Sequence, residues 1–222
     1  MPLITVEGRA DHHLPAERGT VRVRVRSTAD DPLVPRARAT RAFDTLASLA
    51  RSEVAAGSAT WWGADGVVTW SAKEWHKPSA HVEGTYVERH HAAAGITVKF
   101  SDFSRLHTFV STAAEVPDAT VHQVEWTLTE AARDRAVRTA RTAATQDARS
   151  RADAYARAAG LSDVSLVHLH EAGLRPGIGH GGDTSGVGAR NGVASHGATG
   201  DLALHPDQIT VTAVVTADFE AR

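Results

Sequence analysis

The chain has 222 residues and a mass of 23.5 kDa, enough to bury roughly 70% of its unfolded surface without disulfide or metal staples. Apolar residues make up 42% and charged residues 23%, which excludes a disordered chain, a collagen-like repeat and a coiled-coil rod. With 24 Lys+Arg against 26 Asp+Glu, no whole-chain charge points to nucleic acid or an anionic membrane, and zero cysteines exclude thiolate metal sites and thiol catalysis.

Met1-Pro2-Leu3 runs directly into Ile4-Thr5-Val6-Glu7-Gly8, without the basic and apolar segments of an export signal. No apolar run reaches the roughly 18 residues of a membrane-spanning helix. The expectation is a cytoplasmic protein with no transmembrane segment. A first strand spans about Leu3 to Arg9, and Pro15 marks a loop after it. From Thr20 to Ser27, Val21, Val23 and Val25 alternate with Arg22, Arg24 and Arg26, the period-2 pattern of a sheet with one wet face. Pro32 and Pro35 announce a helix from about Arg36 to Ala55, with Ala39, Ala42, Phe43, Leu46, Leu49, Ala50 and Val54 as its apolar stripe.

The middle of the chain is strand-rich. Ala59 to Trp62 and Val67 to His76 flank Gly63-Ala64-Asp65-Gly66, whose Asp-Gly pair predicts a hairpin turn. Val82 to His91 and Gly95 to Phe100 read as a second antiparallel pair, joined through Ala92-Ala93-Ala94. Phe103 to Ala114 is a helix capped by Ser101 or Asp102, and Thr120 to Leu128 is a strand. Thr129-Glu130 opens the longest helix, which Gly160 stops. Ala136, Ala140, Ala144, Ala148, Ala152, Tyr155 and Ala159 recur along it as a seam of small side chains for close packing, while its other faces hold seven arginines and four acids. Asp163 to Glu171 and Gln208 to Phe219 are the last strands. Between them, 10 of the 28 residues from Gly173 to Gly200 are glycine, and few apolar groups offset the ordering entropy, so a long flexible loop joining neighbouring strands is expected.

This order of elements resembles the SIMPL domain family (DUF541). The matching stretches are Ile4-Thr5-Val6-Glu7-Gly8, the block from Gly95 through Phe103-Ser104-Arg105-Leu106, Val124-Glu125-Trp126-Thr127-Leu128, and the terminal strand Ile209 to Phe219. The helix from Ala140 to Leu161 is similar to the family pattern A-x-x-D-A-R-x-K-A-x-x-x-A-x-x-x-G, with Ala144, Asp147, Ala148, Arg149, Ala152, Ala156 and Gly160 in place and Arg151 for the usual lysine. The resemblance implies a mostly bacterial family with many envelope members, some ring-forming, some linked to stress tolerance, and one mammalian member that binds a signalling kinase. It brings no established catalytic residues, so none is carried over.

The histidines were tested as metal ligands. His168 and His170 point to one face of a strand and both suit zinc, whereas His90-His91 and His12-His13 are adjacent and diverge when extended. Without His-Glu-x-x-His or a carboxylate at a diagnostic interval, no metal or cofactor is assigned. Gly177-x-Gly179-x-x-Gly182 lacks the helix that would present its amides to a pyrophosphate. The residues around His180 to Gly186 have no accompanying Gly-x-Ser-x-Gly nucleophile elbow. The Arg22, Arg24, Arg26 row repels itself unless acids intervene, with Glu7, Glu83 or Glu88 as expected partners; a subunit interface and an anion or nucleic-acid site are the alternatives. Trp61, Trp62, Trp70 and Trp75 cluster in the middle strands as core or interface, with a carbohydrate or ligand platform as the alternative.

The expected fold is α+β: mainly antiparallel sheets on the long Ala-rich helix and two shorter ones, a single domain over residues 1–222 with its flexible loop at 173–200. The expected function is a non-enzymatic SIMPL-type assembly module, forming a homo-oligomer or meeting an unknown protein partner, without nucleic acid. The interface is placed at Trp61, Trp62, Trp70, Trp75, Arg22, Arg24 and Arg26. The competing class is a metal- or small-molecule-dependent enzyme using the His-rich strands.

Overall fold

The computed structural model describes residues 1–77, 83–174, 188–190, 192–194 and 206–222. In chain order the elements are β1 (Leu3–Pro15), β2 (Arg18–Ala29), α1 (Leu33–Ala55), β3 (Ala59–His76), β4 (Thr85–Phe100), α2 (Phe103–Ala114), β5 (Ala119–Thr127), α3 (Glu130–Ala158), β6 (Val164–Glu171), β7 (Gly188–Arg190), β8 (Gly192–Ala194) and β9 (Gln208–Ala221). They build an α+β architecture of antiparallel sheets and helices, as expected. None of the described helices is long and apolar enough to cross a membrane. The chain divides into two compact units, one of Met1–Ala16, Leu128–Gly192 and Asp207–Arg222, the other of Glu17–Thr127 and Val193–Pro206.

In the first unit β9 lies between β1 and β6, and β7 also pairs with β9. β1 does not end near Arg9: it pairs with β9 in unbroken register from Leu3↔Glu220 to Pro15↔Gln208, and Pro15 sits at the strand end, where a missing N–H is tolerated. Val211, Ala213, Val215, Ala217 and Phe219 form one core with Val6 and with Ala136, Ala140, Ala144, Ala148, Ala152 and Ala156 of α3. Small side chains at every fourth position let helix and sheet approach closely, and the approach is tightest at Gly8. A Cβ there would lie 2.1 Å from the Ala144 carbonyl oxygen and 2.6 Å from the Ala148 nitrogen. Thr129 caps α3 by accepting from the Ala132 amide, and Gly160, with φ +74°, ends it. The expected loop at 173–200 lies mostly outside the described residues, but its flanking strands β6 and β9 do pair antiparallel.

The second unit has the strand order β3-β4-β2-β5-β8. Val21, Val23 and Val25 of β2, Ile96, Val98 and Phe100 of β4, and Val124 and Trp126 of β5 are buried, together with Leu46 of α1 and Leu106, Phe109 and Val110 of α2. Asp102 caps α2, accepting from the Ser104 and Arg105 amides at 2.9 and 3.2 Å. The middle of the chain departs from expectation. The two predicted hairpins are one, built from the 18-residue β3 and the 16-residue β4. Asp65-Gly66 makes no turn; the residues between Asp65 and Val68 form an irregularity opposite Gly95 and Ala93, and pairing resumes beyond it. Ala92, Ala93 and Ala94 continue β4 because β2 pairs with all three and β3 pairs with Ala92 and Ala93 on the other side.

Candidate functional site

Cross-strand partners share a sheet face, so the registers place each singled-out side chain. Arg22, Arg24 and Arg26 lie opposite Thr97, Gly95 and Ala93 of β4, and these lie opposite Gly63, Asp65 and Val68 of β3. The same face carries Trp61 beside Lys99, and Trp70 beside His91. It is the face away from Val21, Val23 and Val25, hence away from the buried core of this unit. Small residues on β4 thus floor a strip between an arginine row and a tryptophan-bearing edge strand.

The arginine row is not balanced by the expected acids. Arg22 pairs with Glu125 of β5 at 3.1 Å, because β5 flanks β2 and the register sets Glu125 diagonal to Arg22. Glu7 belongs to the other unit's sheet, and Glu88 lies opposite Lys73 in the β3–β4 hairpin. The side chains of Arg24 and Arg26 have no ion-pair partner among the described residues.

The tryptophans are strung out rather than gathered. Trp61 and Trp70 face Lys99 and His91, eight residues apart on β4, hence about 27 Å at ~3.4 Å per residue. Trp62 points to the other face, where the Arg51 guanidinium lies 5.5 Å from its ring centroid. Trp70 stacks on His91 at 5.2 Å; the imidazole Nδ1 hydrogen-bonds with Thr28 Oγ1 at 3.0 Å, and Nε2 lies 3.3 Å from Glu74 Oε1 without a hydrogen bond. Beyond Ala29↔His90, β3 and β4 continue alone as far as His76↔Thr85, a two-stranded arm of about 17 Å. Near its end Trp75 and Tyr86 meet edge to face at 5.1 Å, and Arg89 ion-pairs with Asp30. Trp61, Trp70, Trp75 and Tyr86 remain 52%, 47%, 57% and 67% exposed.

The histidines divide as their spacing requires. His168 and His170 share a face, with ring centroids 6.0 Å apart, and His168 Nδ1 lies 3.7 Å from Asp218 Oδ2. His13 and His90 each meet a hydroxyl, on Thr210 and Ser71, and no group of three or more His, Cys, Asp or Glu is placed for a metal among the described residues. Two features escaped sequence reading. Glu53 is buried in α1, where it accepts from Ser58 Oγ at 2.6 Å and from the Arg105 guanidinium, whose pKa this hydrogen bond raises further. A cavity of about 340 Å³ is lined by Arg38, Arg41 and Thr45 of α1 and by Thr112, Glu115 and Asp118 at and beyond the end of α2. No short motif marks either, since each joins residues far apart in the chain.

A family model described as "Protein of unknown function (DUF541)", SIMPL, matches residues 4–219, which includes both sheets and all three helices. The chain belongs to the SIMPL family. Comparison with proteins of curated function finds no match. The SIMPL family is described as of unknown function, so the functional reading rests on the exposed side chains of β3 and its neighbours.

Proposed function

We propose that this SIMPL-family chain is a non-enzymatic interaction module that associates with copies of itself through β3 and the aromatic side chains it exposes. The observation that carries this reading is the exposure of Trp61 and Trp70 on one face of β3, with Trp75 and Tyr86 exposed on the opposite face of the arm. A buried tryptophan removes up to about 250 Å² from water, so two half-exposed rings on one face leave apolar area for a partner to cover.

A second copy is the favoured occupant because the surface complements itself. Arg24, Arg26 and Lys99 lie on the same sheet face as Asp65 and Glu74, and a two-fold axis lets the basic side chains of one copy meet the carboxylates of the other, twice over. β3 is paired on one side by β4 and is the terminal strand of its sheet. The irregularity at Asp65–Val68 and the charge of Lys73 blunt that open edge, so the aromatic side chains rather than the bare edge provide the contact.

Sedimentation velocity on wild type and a Trp61→Ala/Trp70→Ala double variant tests this. The reading expects an oligomeric wild type and a variant of native circular dichroism shifted toward monomer. Identical sedimentation of the two proteins would overturn the assignment to these rings.

A further inference from the structure

We propose that His168 and His170 of β6 bind a divalent transition-metal ion through two imidazole nitrogens, with Asp218 of β9 orienting the first ring. The residues alternate on a strand, so both rings leave the same face of the sheet. Their centroids are 6.0 Å apart and their planes differ by 24°. Two imidazoles bound to one ion at about 2.0–2.1 Å per metal–nitrogen bond have centroids roughly 5 Å apart, so small side-chain rotations complete the geometry.

Asp218 supplies the support that such a site needs. It is buried at 4% exposure, and its Oδ1 accepts a 2.7 Å hydrogen bond from Thr5 Oγ1, which fixes the carboxylate. Its Oδ2 faces His168 Nδ1 at 3.7 Å. A small rotation that brings Nδ1–H within hydrogen-bond distance of this carboxylate would hold the proton on Nδ1 and leave the Nε2 lone pair for a metal, the outer-sphere arrangement of histidine ligands in metalloproteins. The His168 side chain is 62% exposed, so an ion reaches it from solvent.

The donor set also selects the ion. Two imidazoles without thiolate suit Cu(II), Ni(II) and Zn(II), and Cu(II) binds such nitrogen sites most tightly. With only two protein ligands, water completes the coordination shell, and the ion is exchangeable rather than a structural staple. The adjacent pairs diverge instead: His90 and His91 meet hydroxyls of different strands, Ser71 and Thr28, and of His12 and His13 the latter meets Thr210.

The test is calorimetric titration of the full chain with Cu(II) chloride in a weakly coordinating buffer, together with electron paramagnetic resonance of the bound ion. Wild type should bind one exchangeable ion at this site, with hyperfine structure from two nitrogens. His168→Asn and His170→Asn should each weaken binding by about tenfold or more, and Asp218→Asn by about 10–100-fold, while His122→Asn leaves it unchanged. Circular dichroism checks the fold of each variant; the two histidine positions lie at the sheet surface and tolerate asparagine. Failure of wild type to bind, or wild-type affinity in a His168→Asn/His170→Asn double variant, overturns the proposal. Wild-type affinity in Asp218→Asn overturns its orienting role.

Discussion

Replacing Gly8 by alanine probes the closest packing in the first unit. The added methyl carbon would sit 2.1 Å from the Ala144 carbonyl oxygen, 2.6 Å from the Ala148 nitrogen and 2.7 Å from its Cβ. A comfortable C···O contact is about 3.3 Å, so β1 must withdraw from α3 by roughly 1 Å. A gap of that size forfeits about a quarter to a half of the dispersion attraction across it. The obstructing atoms belong mainly to helix backbone and cannot rotate away, which places the penalty at the upper end of the usual overpacking range, about 3 kcal/mol. At about 2–4 °C per kcal/mol for a chain of this size, Tm should fall by roughly 6–12 °C. Thermal unfolding followed at 222 nm sums the helices of both units, α3 among them, whereas all five tryptophans lie in Glu17–Thr127, so their fluorescence reads that unit alone and the difference between the two curves reports on α3. Gly66→Ala is the control, since nothing lies within 4 Å of a Cβ there. A Gly8→Ala protein as stable as Gly66→Ala would refute the close helix–sheet contact.

Trp126 is fully buried and packs edge to face on Phe103, so Trp126→Ala should cost about 3–5 kcal/mol by urea denaturation, against less than about 1 kcal/mol for half-exposed Trp61→Ala. Arg105→Ala removes the countercharge of buried Glu53, so the loss by urea denaturation should exceed that for the surface pair broken by Arg22→Ala, and equal losses would contradict the burial argument. Asp11 accepts a 2.6 Å hydrogen bond from Thr212 Oγ1, which chiefly holds its pKa below the ordinary carboxylate value, aided by Arg9. Its contribution to stability is therefore present above the unfolded pKa of about 3.9 and is lost as pH falls through the lower folded value. Thr212→Val should raise the Asp11 pKa in an NMR titration, and an unchanged value would refute the role given to that hydroxyl.

Periodicity made much of this fold legible. The alternation of Val21, Val23 and Val25 with arginine, the Asp102 cap, the alanine seam of α3 and the apolar face of β9 each reflect a local rule that the tertiary structure leaves intact. The β3–β4 hairpin was misread because Asp65-Gly66 has the local chemistry of a turn, whereas long-range pairing with β4 absorbs those residues as an irregularity. That error also gathered four tryptophans that the strands spread along their length. Glu53 takes a buried position that helix periodicity gives to Val54, since Ser58 and, 52 residues later, Arg105 supply the hydrogen bonds and charge that make its burial tolerable. The partner of Arg22 depended on strand order and register, which place β5 beside β2. The shared face of His168 and His170 was readable from their spacing; the support from Asp218, 50 residues further on, was not.

The central claim is that the aromatic surface of β3 serves self-association, and the absolute mass of the wild-type chain in solution tests it most directly. Multi-angle light scattering should give at least twice the 23.5 kDa chain mass at micromolar concentration, with the mass falling on dilution if the contact is reversible. A mass of 23.5 kDa across the whole range up to submillimolar concentration would contradict it.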